Sequence, residues 1–447
     1  MKAFKAYDIR GVYNSDFDKN DVYKVGFFLP KLLKTNKILV GRDARISSPE
    51  IFEYLCKGIN DAGAHVSDAG FCTTPMIYWG TGKFNFQASV MITASHNPAE
   101  YNGLKVSGAN VKPVGYDTGL ADLEKMIETE NIEVQDQKGE ITNLDFKAEY
   151  LEFQKSYTKD ISNLNIAFDI SNGMASMYAK DIWGNEPHYI FDDIDCSFPN
   201  HEANPLDPEN IIDLQKLVKD TKADIGVIFD GDADRVMFVD ENSRFVSPDL
   251  IIALLGHHFL KDAKPGTRVL QDIRTSKAVG EYLSQFDVEM HMWRVGRAFA
   301  AKKLNDIDGL FGGELAGHYY FKDFYYSDSG LLAAILVLNI VSEMKKQGIS
   351  FSQAISKIET YKNSGEINFK IEKKLEAMDA VKDHYMAQAK PDAFYDFDGY
   401  RIEYPNWWLN IRPSNTEPYL RFLAEAKTDA QLEEVVNQCK KIITSFA

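Results

Sequence analysis

This 447-residue chain lacks a basic surplus, long apolar runs and paired cysteines. Its 50 lysines and arginines are outnumbered by 66 acidic residues, giving a formal net charge of −16. Chains that grip polyanions usually carry the opposite surplus, so neither nucleic acid nor a membrane surface is an expected partner. The longest unbroken apolar run, Leu331 to Leu338, is far short of the ~20 residues a membrane-spanning helix needs. It is followed by Asn339 and predicts a buried helix. The opening MKAFKAYDIRG reaches a charged, glycine-containing turn with neither an apolar stretch nor a small-residue cleavage site, and the expected location is cytoplasmic. Cys56, Cys72, Cys196 and Cys439 are too scattered for a CxxC pair or a zinc-ligand spacing and are expected as buried, reduced thiols.

What is present is enough apolar sequence, 45% of residues, for several cores in a chain too long for one. Three segments share a pattern in which a β-rich run ends in a polar turn containing Asp, followed by helix-compatible sequence. They are KILVGRDARISS from Lys37, NIAFDISNGMAS from Asn165 and RVLQDIRTSKAV from Arg268. Their spacing predicts three α/β domains of similar plan, over 1–145, 146–248 and 249–360. Further strand-like runs precede Ala94 (SVMIT) and Asp230 (IGVIF) and follow Arg235 (VMFVD). The remainder, 361–447, reads as α+β: a strand from Gly365, a helix near Glu372 to Ala389, an aromatic hairpin around Tyr400 to Trp408 and a terminal helix from Asp429. No stretch is linker-like, which predicts domains packed around a shared cleft.

Four short segments carry chemistry. TASHNP, Thr93 to Pro98, follows a strand and so falls on a loop where α/β proteins bind ligands. Ser95 there is a candidate nucleophile, and the same segment equally suits a helix start with Ser95 or Asn97 as N-cap. Lys105, just beyond, is a candidate proton-transfer group or a surface lysine. DGDADR, Asp230 to Arg235, brings three carboxylates so close that a cation is needed among them, and an all-oxygen set suits a hard ion such as Mg²⁺. An acidic turn is the alternative; an EF-hand would require a central glycine that the register ending at Glu241 lacks. GGELAGH, Gly312 to His318, offers a glutamate that could bond vicinal sugar hydroxyls bidentately. RPSNTEP, Arg412 to Pro418, combines a guanidinium with turn-type N–H groups that suit a phosphate dianion, though ordinary loops also read this way.

Taken in order, these four loops, with FKAYDIRG from Phe4 and HYYFKDFYYSDSG from His318, resemble the α-D-phosphohexomutase family over essentially the whole chain, in its bacterial phosphomannomutase/phosphoglucomutase branch. The resemblance implies three similar α/β domains with mixed sheets and a smaller α+β fourth domain around a central cleft. It implies that Ser95 is a phosphoserine; that Asp230, Asp232 and Asp234 bind Mg²⁺ together with a Ser95 phosphate oxygen; and that Arg235 contacts the same phosphate. Lys105 would be the acid/base, with His96 supporting the site. Tyr7 and Arg10 would line the cleft entrance, Glu314 would bind the sugar 3- and 4-hydroxyls, and His318 would be a further cleft residue. Arg412, Ser414, Asn415 and Thr416 would cradle the nonreacting phosphate.

The implied reaction moves a phosphoryl group between the 1- and 6-positions of a mannose or glucose phosphate through a hexose 1,6-bisphosphate, which also serves as activator. Phosphoglucosamine mutase, strict phosphoglucomutase and a catalytically silent sugar-phosphate sensor are the alternatives. Two positions depart from the family pattern: Ala316 stands where many relatives have serine, and Arg297 stands where histidine is common. Arg297 reads either as a substrate contact or as a surface charge.

Overall fold

The computed structural model of the chain describes residues 2–414 and 419–446, and the short β-branched runs form its sheets. The first sheet contains β1 (Ile9–Val12), β2 (Lys37–Arg42), β3 (His65–Phe71), β4 (Ala88–Ile92), β5 (Tyr101–Gly108) and β6 (Ile141–Asn143), in the order β1-β5-β4-β2-β3-β6. The second contains β7 (Ile166–Asp169), β8 (His188–Ile190), β9 (Ile225–Phe229), β10 (Val236–Asp240) and β11 (Phe245–Val246), in the order β11-β10-β9-β7-β8. The third contains β12 (Thr267–Asp272), β13 (Val288–Trp293), β14 (Phe311–Gly313), β15 (Tyr319–Phe321) and β16 (Ser327–Asp328), in the order β13-β12-β14-β15-β16.

One plan runs through all three. A first strand (β2, β7 or β12) lies between two parallel neighbours, and the second of these (β4, β9 or β14) continues through a loop into an antiparallel partner (β5, β10 or β15). These first strands are the ones inside the three repeated sequence segments. β4 and β9 are buried on both faces, which is why IGVIF and SVMI read as continuous apolar runs rather than alternating ones.

The fourth sheet contains β17 (Lys362–Asn363), β18 (Ile367–Lys370), β19 (Ala393–Tyr395), β20 (Tyr400–Tyr404), β21 (Trp407–Pro413) and β22 (Tyr419–Ala426), all pairs antiparallel, covered by helices Lys374–Gln388 and Asp429–Thr444. The apolar run at Leu331 lies in the helix Gly330–Lys346, whose residues are buried from Gly330 to Ser342. Asn339 stays inside that helix, its side chain donating to Tyr157 O (2.8 Å) and accepting from Lys159 N (3.1 Å). Among the described residues no helix is long and apolar enough to cross a membrane.

Core distribution separates the fourth domain from the others. One cluster runs from Leu39 and Trp79 of the first domain through Phe168 and Phe238 of the second to Leu254 and Leu336 of the third. The cluster built on Leu409, Phe422 and Ile443 draws only on fourth-domain residues among those described.

Candidate active site

The shared plan puts three of the predicted loops at equivalent places, each joining the last parallel strand to its antiparallel partner. Thr93–Pro98 links β4 to β5, Asp230–Arg235 links β9 to β10, and Glu314–His318 links β14 to β15. The loops touch: a Cβ on Gly231 would lie 2.6 Å from Ser95 O, and Val236 N donates to Gly317 O (3.2 Å).

Ser95 sits in a left-handed backbone conformation, φ +52°, with its N–H held by Thr93 Oγ1 (2.9 Å). Such a loop exposes carbonyls that need donors, and one side chain supplies them. Arg45, 1% exposed, donates through Nη2 to Ser95 O and Asn97 O (both 2.8 Å) and through Nη1 to Pro98 O (2.7 Å) and Tyr101 O (3.1 Å). Its Nε lies 3.2 Å from Asp43 Oδ2. Ser95 Oγ donates to Asp230 Oδ2 at 2.8 Å, and His96 Nδ1 stands 3.5 Å from it. Burial, with Arg235, Arg10 and Lys105 nearby, holds His96 well below the usual histidine range, so it is neutral. Arg10 reaches the same loop, donating to Asn97 Oδ1 (2.8 Å) and to Asp8 (2.5 Å).

Asp230, Asp232 and Asp234 are all fully buried. Burial and the two neighbouring carboxylates push Asp230 well above the usual range. Burial also works to raise Asp234, but the positive charge of Lys105 leads the opposing effects that hold the group low. Lys105 Nζ lies 2.6 Å from both Asp232 Oδ2 and Asp234 Oδ2, and these carboxylates raise its pKa against the opposing effect of burial. Thr74 Oγ1 also donates to Asp232 Oδ2 (2.5 Å). Asp232 Oδ1 and Asp234 Oδ1 are buried with no hydrogen-bond partner among the described residues, which suits a cation-binding set better than a structural turn.

Glu314, 2% exposed, accepts from Gly296 N at Oε1 (2.6 Å) and from Tyr320 OH at Oε2 (3.1 Å); burial, reinforced by Asp272, raises its pKa. His318 is fixed at both ring nitrogens. Asp328 Oδ2 is 2.6 Å from Nδ1 and can only accept, so the ring proton is on Nδ1 and Nε2 accepts from Arg235 Nε (2.9 Å). Arg297 is not a surface charge. Its side chain is 12% exposed, its Nε donates to Asp328 Oδ1 (3.1 Å), and its guanidinium lies over the Tyr78 ring of the first domain at 3.7 Å.

At the far wall, Tyr7 OH donates to Val295 O (3.0 Å), and Arg412 at the end of β21 is 6% exposed, with Nη2 3.3 Å from Asp398 Oδ1. Ser414 N donates to Tyr419 O (2.8 Å), while Asn415 and Thr416 lie outside the described residues. The structure therefore joins Ser95, His96, Lys105, Arg235, the three aspartates, Arg10 and His318 in one connected cluster. Glu314, Tyr7 and Arg412 are linked through the turn at Val295. Arg45, Thr74, Asp328 and Tyr320 were not singled out from the sequence. Of these, Arg45 carried the most signal, because it lies in the polar turn that closes the first repeated segment.

Comparison with known proteins agrees with this geometry. Models of the four phosphoglucomutase/phosphomannomutase domains match in order: alpha/beta/alpha domain I over residues 1–133, domain II over 148–243, domain III over 247–361 and the C-terminal domain over 366–442. A phosphomannomutase of Methanocaldococcus jannaschii is 36% identical, covering 100% of this chain and 98% of that protein. A phosphomannomutase/phosphoglucomutase of Pseudomonas syringae is 33% identical, covering 97% and 93%. The crystal structure of a phosphoglucomutase/phosphomannomutase family protein of Burkholderia thailandensis superposes with a TM-score of 0.88 at 28% identity, covering 99% of this chain and 97% of that one.

Proposed function

The chain belongs to the phosphoglucomutase/phosphomannomutase family and is a phosphohexomutase, and we propose that it moves a phosphoryl group between the 1- and 6-positions of mannose and glucose phosphates through a phosphorylated Ser95. The observation that carries this reading is the 2.8 Å contact of Ser95 Oγ with Asp230, inside a buried carboxylate cluster in which Asp232 Oδ1 and Asp234 Oδ1 have no hydrogen-bond partner among the described residues. That donor set fits Mg²⁺, held by Asp230, Asp232 and Asp234 with an oxygen of the Ser95 phosphate. The ion would neutralise charge on the transferring group, the main requirement of phosphoryl transfer.

In the proposed cycle, phospho-Ser95 gives its phosphoryl group to the free hydroxyl of a bound hexose phosphate, forming the 1,6-bisphosphate. The bisphosphate turns over and returns its other phosphoryl group to Ser95. Free bisphosphate acts as activator by reloading dephosphorylated Ser95. Arg45 holds the Ser95 loop, Arg235 meets the transferring phosphate, Glu314 takes the 3- and 4-hydroxyls, and Arg412 takes the far phosphate. His318, with its proton fixed on Nδ1, offers Nε2 to the attacking hydroxyl once Arg235 turns to the phosphate. Lys105, kept charged by two aspartates, suits the proton-donating half of the exchange.

The test is phosphate labelling. Incubation with labelled hexose 1,6-bisphosphate is expected to mark Ser95, and unlabelled hexose phosphate is expected to chase the label at the rate of turnover. Ser95→Ala should be folded and nearly inactive, because it loses the phosphate's charge of about −1.5 to −2 as well as the nucleophile. Wild-type turnover by that variant, or a label elsewhere in the chain, rules the reading out.

A further inference from the structure

Domain IV shares no apolar cluster with the rest of the chain among the described residues, so the contacts that hold Arg412 against the third domain are few and identifiable. One of them lies within the proposed cradle. Asp398, in the turn between β19 and β20, places Oδ1 3.3 Å from Arg412 Nη2 and accepts from Val295 N–H at Oδ2 (2.8 Å); its side chain is 10% exposed. The turn is shaped for this approach. Gly399 has φ +73°, and a Cβ there would lie 2.4 Å from Arg412 Cβ, so the backbone lies directly on the arginine. Beside it Phe397 stacks on Trp293 with ring centroids 5.5 Å apart.

The other end of the contact is equally constrained. Val295 O accepts from Tyr7 of the first domain, and the next N–H, that of Gly296, goes to Glu314 Oε1. Two consecutive residues therefore collect the cleft-lining Tyr7, the sugar-gripping Glu314 and the carboxylate that neutralises Arg412. Asp398 is that arginine's ion-pair partner, and Arg412 Nε is buried with no partner among the described residues. A phosphate arriving at Arg412 must share the guanidinium with a like charge fixed beside it, in a setting where such repulsion is strong.

We propose that Asp398 is a positioning residue that keeps Arg412 aimed between substrates and limits how tightly the cradle holds a phosphate. The limit serves turnover. A 1,6-bisphosphate must leave the cradle once in every cycle to present its other end to Ser95, and uniform tightening of binding does not raise kcat. The proposal rests on Arg412 being the phosphate cradle.

Asp398→Asn keeps the shape and the acceptor for Val295 N–H while removing the charge. In that variant, KM for glucose 1-phosphate and the inhibition constant for inorganic phosphate are both expected to fall roughly fivefold or more. The kcat is expected to fall with them, because release from the cradle slows. A purely structural role would instead raise KM and lower Tm. The rise in Tm that inorganic phosphate produces, read without turnover, should also be larger in the variant than in the wild type. Unchanged or weaker phosphate inhibition in Asp398→Asn overturns the role of Asp398, provided Arg412→Ala abolishes that inhibition. If Arg412→Ala inhibits like wild type, the cradle reading itself fails.

Discussion

Lys105 spends its charge on the Asp230–Arg235 loop: both of its short contacts, at 2.6 Å, go to Asp232 and Asp234, and it is 8% exposed. It is therefore the cation paired with two of the three buried carboxylates, while Arg235 stands 3.9 Å from the third, Asp230. Lys105→Met should leave Asp232 and Asp234 without that cation, and breaking such a pair from one side costs roughly 3–5 kcal/mol. In chelator the variant is expected to melt below the wild type, and added Mg²⁺ should raise its Tm by more than it raises the wild type's. Equal Mg²⁺ responses in the two proteins would mean that the loop does not depend on a cation. At this scale the sequence was most legible where chemistry is contiguous: Ser95 and His96, or the alternating aspartates of DGDADR. It was least legible where a role depends on a distant partner. Arg45 holds a loop about fifty positions away. Thr74 reaches Asp232 across 158 residues. Asp328 matters because it fixes the ring of His318. Local sequence marks such residues only weakly, Arg45 by its polar turn and Asp328 by the stretch from His318, because only the fold brings the distant partners together.

Among the elements, the three sheets repeat one turn, and the repeat was visible in the sequence at the wrong strand. The similar segments from Lys37, Asn165 and Arg268 contain β2, β7 and β12, whereas the candidate site loops follow β4, β9 and β14. The fourth domain follows another logic, meeting the third through β20 and β22. Glu425 on β22, 4% exposed, accepts from Ser276 Oγ (2.6 Å), Trp408 Nε1 (2.8 Å) and Asn363 Nδ2 (2.7 Å), while Arg401 on β20 donates to Ile273 O and Thr275 O. Burial, with buried Asp249 behind Ser276, pushes Glu425 up to about 7. Between the ordinary carboxylate range and that value, the folded protein keeps a proton that the unfolded chain releases. Stability therefore falls as pH rises through this window. The melting temperature of the wild type is expected to drop between about pH 5 and about pH 8, and that of Glu425→Gln to drop less, since an amide has no proton to lose there. Parallel curves for the two proteins would place the titrating group elsewhere.

For the molecule as a whole, the site must accept one sugar in two orientations. In the proposed cycle, exchanging C1 and C6 at Ser95 would turn the ring over while keeping the 3- and 4-hydroxyls at Glu314 and one phosphate at Arg412. The 2-hydroxyl has no such fixed address, because the turn that swaps the reacting ends carries carbon 2 from one side of the cleft to the other. A side chain placed to bond it in one half of the cycle would face the carbon 5 side of the ring in the other half. Mannose and glucose phosphates differ only at that hydroxyl, and the grips assigned to Glu314 and Arg412 read features that both share. Ala316, beside Glu314, contributes no hydroxyl with which to read it. Strong discrimination requires a polar group left unpaired by the wrong substrate, and without one the difference in transition-state binding stays near 1–3 kcal/mol, about 10- to 200-fold. The purified protein is therefore expected to turn over both mannose 1-phosphate and glucose 1-phosphate, with kcat/KM values separated by no more than that range. Serine at position 316 should shift the ratio between the two sugars more than it shifts either KM for the shared phosphate. A measured preference beyond roughly a thousandfold, well outside that range, would require a 2-hydroxyl contact that survives the turn, and the two-orientation argument would then fail.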